Sequence, residues 1–112
     1  MKSSQKLTKD QLEPFFQEWN QLSTELADLH HQRNRGAKDA MQAGLKVYNS
    51  LLAHCREALQ DERFEPLNGS ERLSFIQASP GTYAAYRQMD ELFSELKKTL
   101  ARKRIELSRL KE

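Results

Sequence analysis

Apolar residues recur three and four positions apart through most of the chain, a spacing that places them on one face of an α-helix. The first such stripe begins after Thr8, which fits a helix capping box with Gln11. We expect Pro14 to loosen the first turn and regular helix to follow from there, because proline lacks an N–H and crowds the preceding turn. The helix should end at residues 33–36, with Gly36 in the left-handed conformation. Its stripe consists of Leu12, Phe15, Trp19, Leu22, Leu26 and Leu29.

A second helix is predicted over residues 37–60, and it carries a broader apolar face than the first. Few charges interrupt this helix, and a wide apolar face on such a helix indicates burial against two neighbours. We therefore expect it to lie at the centre of the core. Its stripe consists of Met41, Leu45, Tyr48, Leu52, Cys55 and Leu59, and Gly44, Leu51 and Ala58 widen it on one side.

A connector over residues 61–69 separates this helix from a short one, because it contains a proline and an Asn-Gly turn signal. Ser70 is the predicted cap of the short helix, which should span residues 71–78. The apolar residues expected to pack inward in this stretch are Phe64, Leu67, Leu73 and Ile76.

The last predicted helix starts at Ser79 and Pro80, where serine suits the cap and proline the first helical position. It should run to about Lys111, longer than the other helices, with a coiled-coil-like pattern. The chain thus predicts an all-α fold, an antiparallel bundle of three long helices and one short one. We expect residues 1–7 to be a flexible lead-in and residues 8–112 to form a single domain. The last stripe consists of Tyr86, Met89, Phe93, Leu96, Leu100, Lys103, Leu107 and Leu110.

Charge is distributed unevenly along the 112 residues, although the net charge is only +2. Residues 61–96 carry three basic and seven acidic side chains, whereas residues 97–112 carry seven basic and two acidic ones. The chain has no apolar run long enough to span a bilayer, no secretory signal and a single cysteine. We therefore expect a soluble, cytoplasmic protein that does not associate with membranes.

Few residues suggest chemistry at a metal or a nucleophile. His30 and His31 are adjacent on a helix and point about 100° apart, and His54 stands beside Cys55 in the same way. Neither pair defines a metal site. Because Cys55 lies on the apolar stripe of the second helix, we interpret it as a small buried hydrophobe. We expect no bound metal, cofactor or small-molecule ligand.

An enzymatic role has little support in the sequence. Some small all-α enzymes bind dicarboxylates with basic residues inside a bundle, and Arg33, Arg56 and Lys103 lie on or beside the apolar stripes. The stripes otherwise contain almost no polar residues that would converge in a core, so we assign no catalytic residues. Tyr83 lies off the stripe of the last helix and is the aromatic residue most free to contact another molecule.

The leading functional hypothesis is a non-enzymatic protein–protein interaction module, an adaptor or regulator, that uses its last helix. Leu107 and Leu110 extend the apolar line beyond the reach of the first helix, and an uncovered line of this kind is usually covered by a partner or a second copy. Lys103 interrupts that line, which favours exposure of the segment. Phe16 and Ile105 lie off their stripes and could enlarge the patch. The predicted partner-binding residues are Leu100, Lys103, Leu107 and Leu110.

The alternative hypothesis is binding of nucleic acid phosphates by the basic end of the last helix, with an affinity that falls steeply with salt. The residues concerned are Lys97, Lys98, Arg102, Arg104 and Arg109. A structural explanation competes with this one, because Lys97 and Arg104 could pair with Glu18 and Glu25 of the first helix. No aromatic residue follows Phe93, so the sequence does not indicate a platform for base stacking.

Overall fold

The structure, a computed structural model, describes residues 7–110. They form four helices joined by turns, and no strand occurs within this range. The predicted all-α bundle of three long helices and one short helix is confirmed. The helices are α1 (Lys9–His31), α2 (Ala37–Leu59), α3 (Gly69–Ala78) and α4 (Tyr83–Leu110).

Ring contacts between α1 and α4 show that these two helices run antiparallel. Phe16 near the start of α1 meets Phe93, whereas His30 at the end of α1 meets Tyr83 at the start of α4. Helix α2 supplies ten buried residues to the core, more than any other helix. Its Tyr48 packs edge-on against Phe93 with ring centroids 5.3 Å apart. The central position predicted for this helix agrees with that burial.

The start of α1 confirms one prediction and corrects two. Thr8 caps the helix, since its hydroxyl accepts the backbone N–H of Gln11 at 3.3 Å. Helix α1 is already regular from Lys9, with Pro14 inside it. The carbonyl that Pro14 leaves without a helical partner belongs to exposed Asp10, where water can satisfy it.

The predicted lead-in is wrong at its last residue, because Leu7 is fully buried in the core. The rest of the lead-in, residues 1–6, lies outside the described residues.

The turn after α1 differs from the prediction in the residue that adopts the left-handed conformation. Arg33 has a φ of 54°, whereas Gly36 has a φ of −61° and precedes α2. Two backbone hydrogen bonds of a Schellman motif enforce the turn, from Asn34 N–H to the Leu29 carbonyl and from Arg33 N–H to that of His30. The chain therefore leaves the helix three residues before the glycine.

The helix starts predicted from serines are also wrong. Helix α3 begins at Gly69, after Asn68 in the left-handed conformation, and the Ser70 hydroxyl instead donates to Glu65 Oε2 at 2.8 Å. Helix α4 begins at Tyr83 rather than at Ser79 and Pro80, because the Thr82 hydroxyl accepts the backbone N–H of Ala85 at 3.1 Å. The predicted end of α4 at Lys111 lies outside the described residues.

The burial predicted for four residues can be compared directly with the structure. Phe64 and Ile76 are buried as predicted. Leu67 is 80% exposed, although it was expected to pack beneath the connector. Phe16 is buried rather than exposed, because its ring meets the edge of Phe93 at a centroid distance of 6.3 Å. The apolar face of α1 is thus wider than the three–four stripe indicates.

One side chain ties α3 to α4. The Arg72 guanidinium donates to both carboxylate oxygens of Glu95, at 3.0 and 2.6 Å, and its Nε donates to Gln88 at 2.8 Å. A further bond reaches the Leu67 carbonyl at 3.1 Å. The hydrogen bonds from Arg72 hold the pKa of Glu95 below its usual range. This network compensates for the short length of α3.

We expect Arg72→Lys to lower the free energy of unfolding by about 1 kcal/mol, because an ammonium group cannot reproduce the paired bonds of a guanidinium. Arg87→Lys is the matched control, since Arg87 makes no ion pair with another residue of the described range. Urea unfolding of the three proteins measures the difference. The deficit should shrink as the pH falls below 4.5, the ordinary pKa of glutamate, because protonation of Glu95 removes its charge in both proteins. A deficit independent of pH would contradict the role of the ion pair.

Candidate functional site

The outer face of the last turns of α4 is the first candidate. Lys98, Arg102, Ile105 and Arg109 are spaced four, three and four positions apart, so they share one side of the helix. All four are exposed, and they lie on the side opposite the buried Leu96 and Leu100. We call these residues, Lys98, Arg102, Ile105 and Arg109, the terminal face.

The four predicted partner-binding residues turn out to have different environments. Leu100 is only 1% exposed, so it is a core residue and is not available to a partner. Leu107 is partly buried against the core, whereas Leu110 is 81% exposed. Lys103 lies 3.8 Å from Glu106 on the same helix and keeps access to solvent. The prediction must be revised, with Leu110 retained and Leu100 removed.

Two of the predicted basic residues contact other parts of the bundle, one on α1 and one just before it. The Lys97 ammonium lies 5.7 Å from the centroid of the Phe16 ring, a cation–π distance. The Arg104 guanidinium donates to the Leu7 carbonyl at 3.4 Å. The ion pairs found within residues 7–110 do not join either of them to Glu18 or Glu25. The predicted internal pairing is therefore replaced by contacts with an aromatic ring and a backbone carbonyl.

A shallow hollow of about 460 Å³ borders the terminal face, and Ile105 and Arg109 belong to both. Ile105, which is 54% exposed, is its large apolar residue, and Ala101 and Ser108 leave space around it. Arg104 and Arg109 line the same hollow. The hollow thus presents one large, exposed apolar side chain beside two arginines.

The opposite end of the bundle contains a second candidate, a cleft of about 340 Å³ between the end of α1 and the start of α4. His30, Tyr83 and Tyr86 form one wall, with each pair of ring centroids 5.6 to 5.7 Å apart. The remaining lining residues are Ala27, His31, Arg87 and Asp90. We call this site the aromatic cleft. Sequence reasoning singled out Tyr83 but missed the cleft, because residues more than 50 positions apart form it.

Hydrogen bonds fix two of the cleft's side chains. The Trp19 indole N–H donates to Asp90 Oδ1 at 3.1 Å, and the hydroxyls of Ser23 and Tyr86 are 3.2 Å apart. In contrast, His30 Nε2 is buried and has no hydrogen-bond partner among residues 7–110. Hydrogen bonds therefore hold Tyr86 and Asp90 in position in the cleft lining.

The residues considered for catalysis or metal binding do not come together. Cys55 is buried, and burial raises the pKa of its thiol to about 12, so the reactive thiolate is scarce at neutral pH. The Arg56 guanidinium donates to the Phe64 carbonyl at 2.9 Å. Arg33 lies in the turn after α1, and Lys103 lies near the end of α4. Within the described range, no three His, Cys, Asp or Glu side chains are arranged to hold a metal ion.

Comparison with known proteins places most of the chain in one family. Residues 9–108 match the YpoC-like proteins. The chain belongs to the YpoC-like protein family. The YpoC-like match begins at the first residue of α1 and ends two residues before the end of α4, so it includes the aromatic cleft and most of the terminal face. No curated protein and no solved structure matches the chain. None of the described helices combines the length and apolar character needed to cross a membrane.

Proposed function

We propose that this YpoC-like chain is a non-enzymatic interaction module, an adaptor or regulator, whose docking surface is the terminal face of α4. The observation that carries the proposal is the half-exposed Ile105 among exposed basic side chains, in a hollow that the rest of the bundle leaves open. Exposed apolar surface rimmed by charges marks many protein interaction sites, and exposed Leu110 adds to the apolar surface at this end of α4. The proposal places the protein in the cytoplasm, as its sequence predicts.

The charge of this segment identifies the chemistry of the partner. Residues 97–110 contain six basic side chains and only one acidic residue, Glu106. An acidic amphipathic helix would match this charge, with one apolar residue inserted beside Ile105 and carboxylates paired with Arg102 and Arg109. A face this small is typical of a transient contact whose association rate depends on salt.

Nucleic acid is a less suitable occupant of the same surface. Phosphate binding uses the basic residues but gives no role to Ile105 or Leu110, which are both exposed. Residues 94–110 contain no aromatic side chain on which a base could stack. Of the five basic residues predicted for anion binding, Lys97 already contacts Phe16 of α1 and Arg104 the Leu7 carbonyl just before α1.

The test uses a labelled synthetic helical peptide with leucine on one face and glutamate on its flanks, and fluorescence anisotropy at low salt. Because Ile105 in the face and exposed Leu110 just beyond Arg109 supply the apolar area, Ile105→Ser with Leu110→Ser should weaken peptide binding by about tenfold, a difference of about 1.4 kcal/mol. Phe75→Ser is the matched control, since Phe75 is also exposed but lies on α3. It should leave the affinity within about twofold.

Three results would overturn the proposal. The first is equal peptide binding by the wild type and the double variant. The second is tighter binding of a mixed-sequence oligonucleotide that is lost when Arg102 and Arg109 are changed to glutamine, which would assign the face to phosphates. The third is a stable dimer in light scattering that the double variant dissociates, which would assign the face to a second copy of the chain.

A further inference from the structure

The aromatic cleft lies at the other end of the bundle from the terminal face, so a function there is independent of the proposed docking. Tyr83 is 57% exposed and belongs to its aromatic wall. Its ring contacts both His30 and Tyr86. An exposed tyrosine whose ring is supported on two sides is a ready surface for stacking by a planar molecule. The volume of about 340 Å³ is at the lower end of the range for small-molecule sites.

Arg87, the arginine of this cleft, forms no ion pair with another residue between 7 and 110. Arg87 has two carboxylates within reach along its helix, Asp90 three residues ahead and Glu91 four residues ahead, yet it pairs with neither. Asp90 instead accepts the indole N–H of Trp19, and Glu91 lies 3.8 Å from Arg72. The guanidinium of Arg87 is therefore available for an external anion beside the aromatic wall.

We propose that the aromatic cleft binds a small aromatic carboxylate. The ring of the ligand packs against Tyr83 and Tyr86, and its carboxylate takes the paired N–H donors of Arg87. One arginine matches a single carboxylate, whereas a polyphosphate would need several cations and the cleft has no other arginine or lysine. Asp90, held by Trp19, disfavours a second negative charge on the ligand.

The test uses the only tryptophan of the chain as its reporter. In a ¹⁵N correlation spectrum, Trp19 gives one indole N–H signal, and this N–H is bonded to Asp90 in the cleft wall. Titration with sodium benzoate should shift that signal along a saturable curve. Cyclohexanecarboxylate, which keeps the charge but lacks the aromatic ring, should bind about threefold more weakly. Benzyl alcohol, which keeps the ring but lacks the charge, should bind at least about tenfold more weakly.

Matched variants separate the two parts of the site. Arg87→Gln should weaken benzoate binding by about tenfold, and Tyr83→Ala should weaken it by at least about threefold. Arg63→Gln is the control, because it removes an exposed arginine that does not line the cleft. It should leave the titration unchanged. A linear, non-saturating shift of the indole signal would overturn the proposal, as would equal benzoate binding by wild type and Arg87→Gln.

These outcomes do not depend on the proposed docking function. Loss of peptide binding in the variant with Ile105→Ser and Leu110→Ser would leave the benzoate titration unaffected, since neither residue lines the cleft. Failure of the benzoate titration would equally leave the docking experiment intact. The two proposals can therefore fail separately.

Discussion

Replacing Gly44 with alanine should lower the free energy of unfolding by about 2 kcal/mol, even though alanine is the better helix former by about 1 kcal/mol. A Cβ atom at position 44 would lie 2.8 Å from Cζ3 and 3.3 Å from Cε3 of the Trp19 ring. Such distances require the ring or the helix to move. The absence of a side chain at Gly44 thus allows α2 to approach the Trp19 ring of α1 closely.

The Trp19 ring cannot easily give way, because contacts on α4 hold it. It stacks on Phe93 with ring centroids 4.7 Å apart and an interplanar angle of 6°. Its indole N–H also donates to Asp90 at 3.1 Å. Moving the ring would disturb the stack and the hydrogen bond together, so the cost of the methyl group exceeds its gain in helix propensity.

Urea unfolding followed by far-ultraviolet circular dichroism measures the effect. Gly81→Ala is the matched control. A Cβ atom at position 81 would lie 3.6 Å from the Lys38 Cβ, which is an ordinary contact distance. That control should change stability by no more than about 0.5 kcal/mol. A Gly44→Ala protein as stable as the wild type would show that the contact between α1 and α2 is loose at this point.

Alkaline pH should destabilise the protein through Cys55. Burial raises the pKa of this thiol from 9.0 to about 12, so the unfolded chain loses the proton at a lower pH than the folded protein does. Its contribution to stability is therefore complete below pH 9 and is lost as the pH rises above it. At about pH 10.5 the loss from this one group amounts to about 2 kcal/mol. Burial also raises the pKa of Tyr48, which adds to the loss above pH 10.

The measurement compares urea unfolding at about pH 8 and pH 10.5 for the wild type and for Cys55→Ala. The variant has a smaller core side chain and should be less stable at both pH values. The informative quantity is its pH dependence, which should be smaller than that of the wild type by about 2 kcal/mol. Identical pH dependence in the two proteins would mean that the thiol titrates normally and that Cys55 is accessible to water.

Helical periodicity alone is enough to locate the four helices of this chain, because each helix buries one side and the apolar residues must recur with the helical repeat. It also identifies Thr8 as a cap, since capping depends on a local hydrogen bond to Gln11. Local rules fail where a turn is stabilised by bonds to residues further back. Arg33 takes the left-handed conformation because the Leu29 and His30 carbonyls bind the turn, although a glycine stands three residues later.

The candidate sites depend on the packing between helices, which periodicity does not contain. Whether Leu100 or Leu110 is exposed depends on where the neighbouring helices end, and Leu100 lies inside that limit. The aromatic cleft exists because α1 ends where α4 begins, which brings His30 next to Tyr83. Within residues 7–110 Arg87 forms no ion pair, since Trp19 and Arg72 engage the two nearby carboxylates. A sequence pattern describes the faces of single helices, whereas these contacts depend on how far apart and in what direction the helices pack.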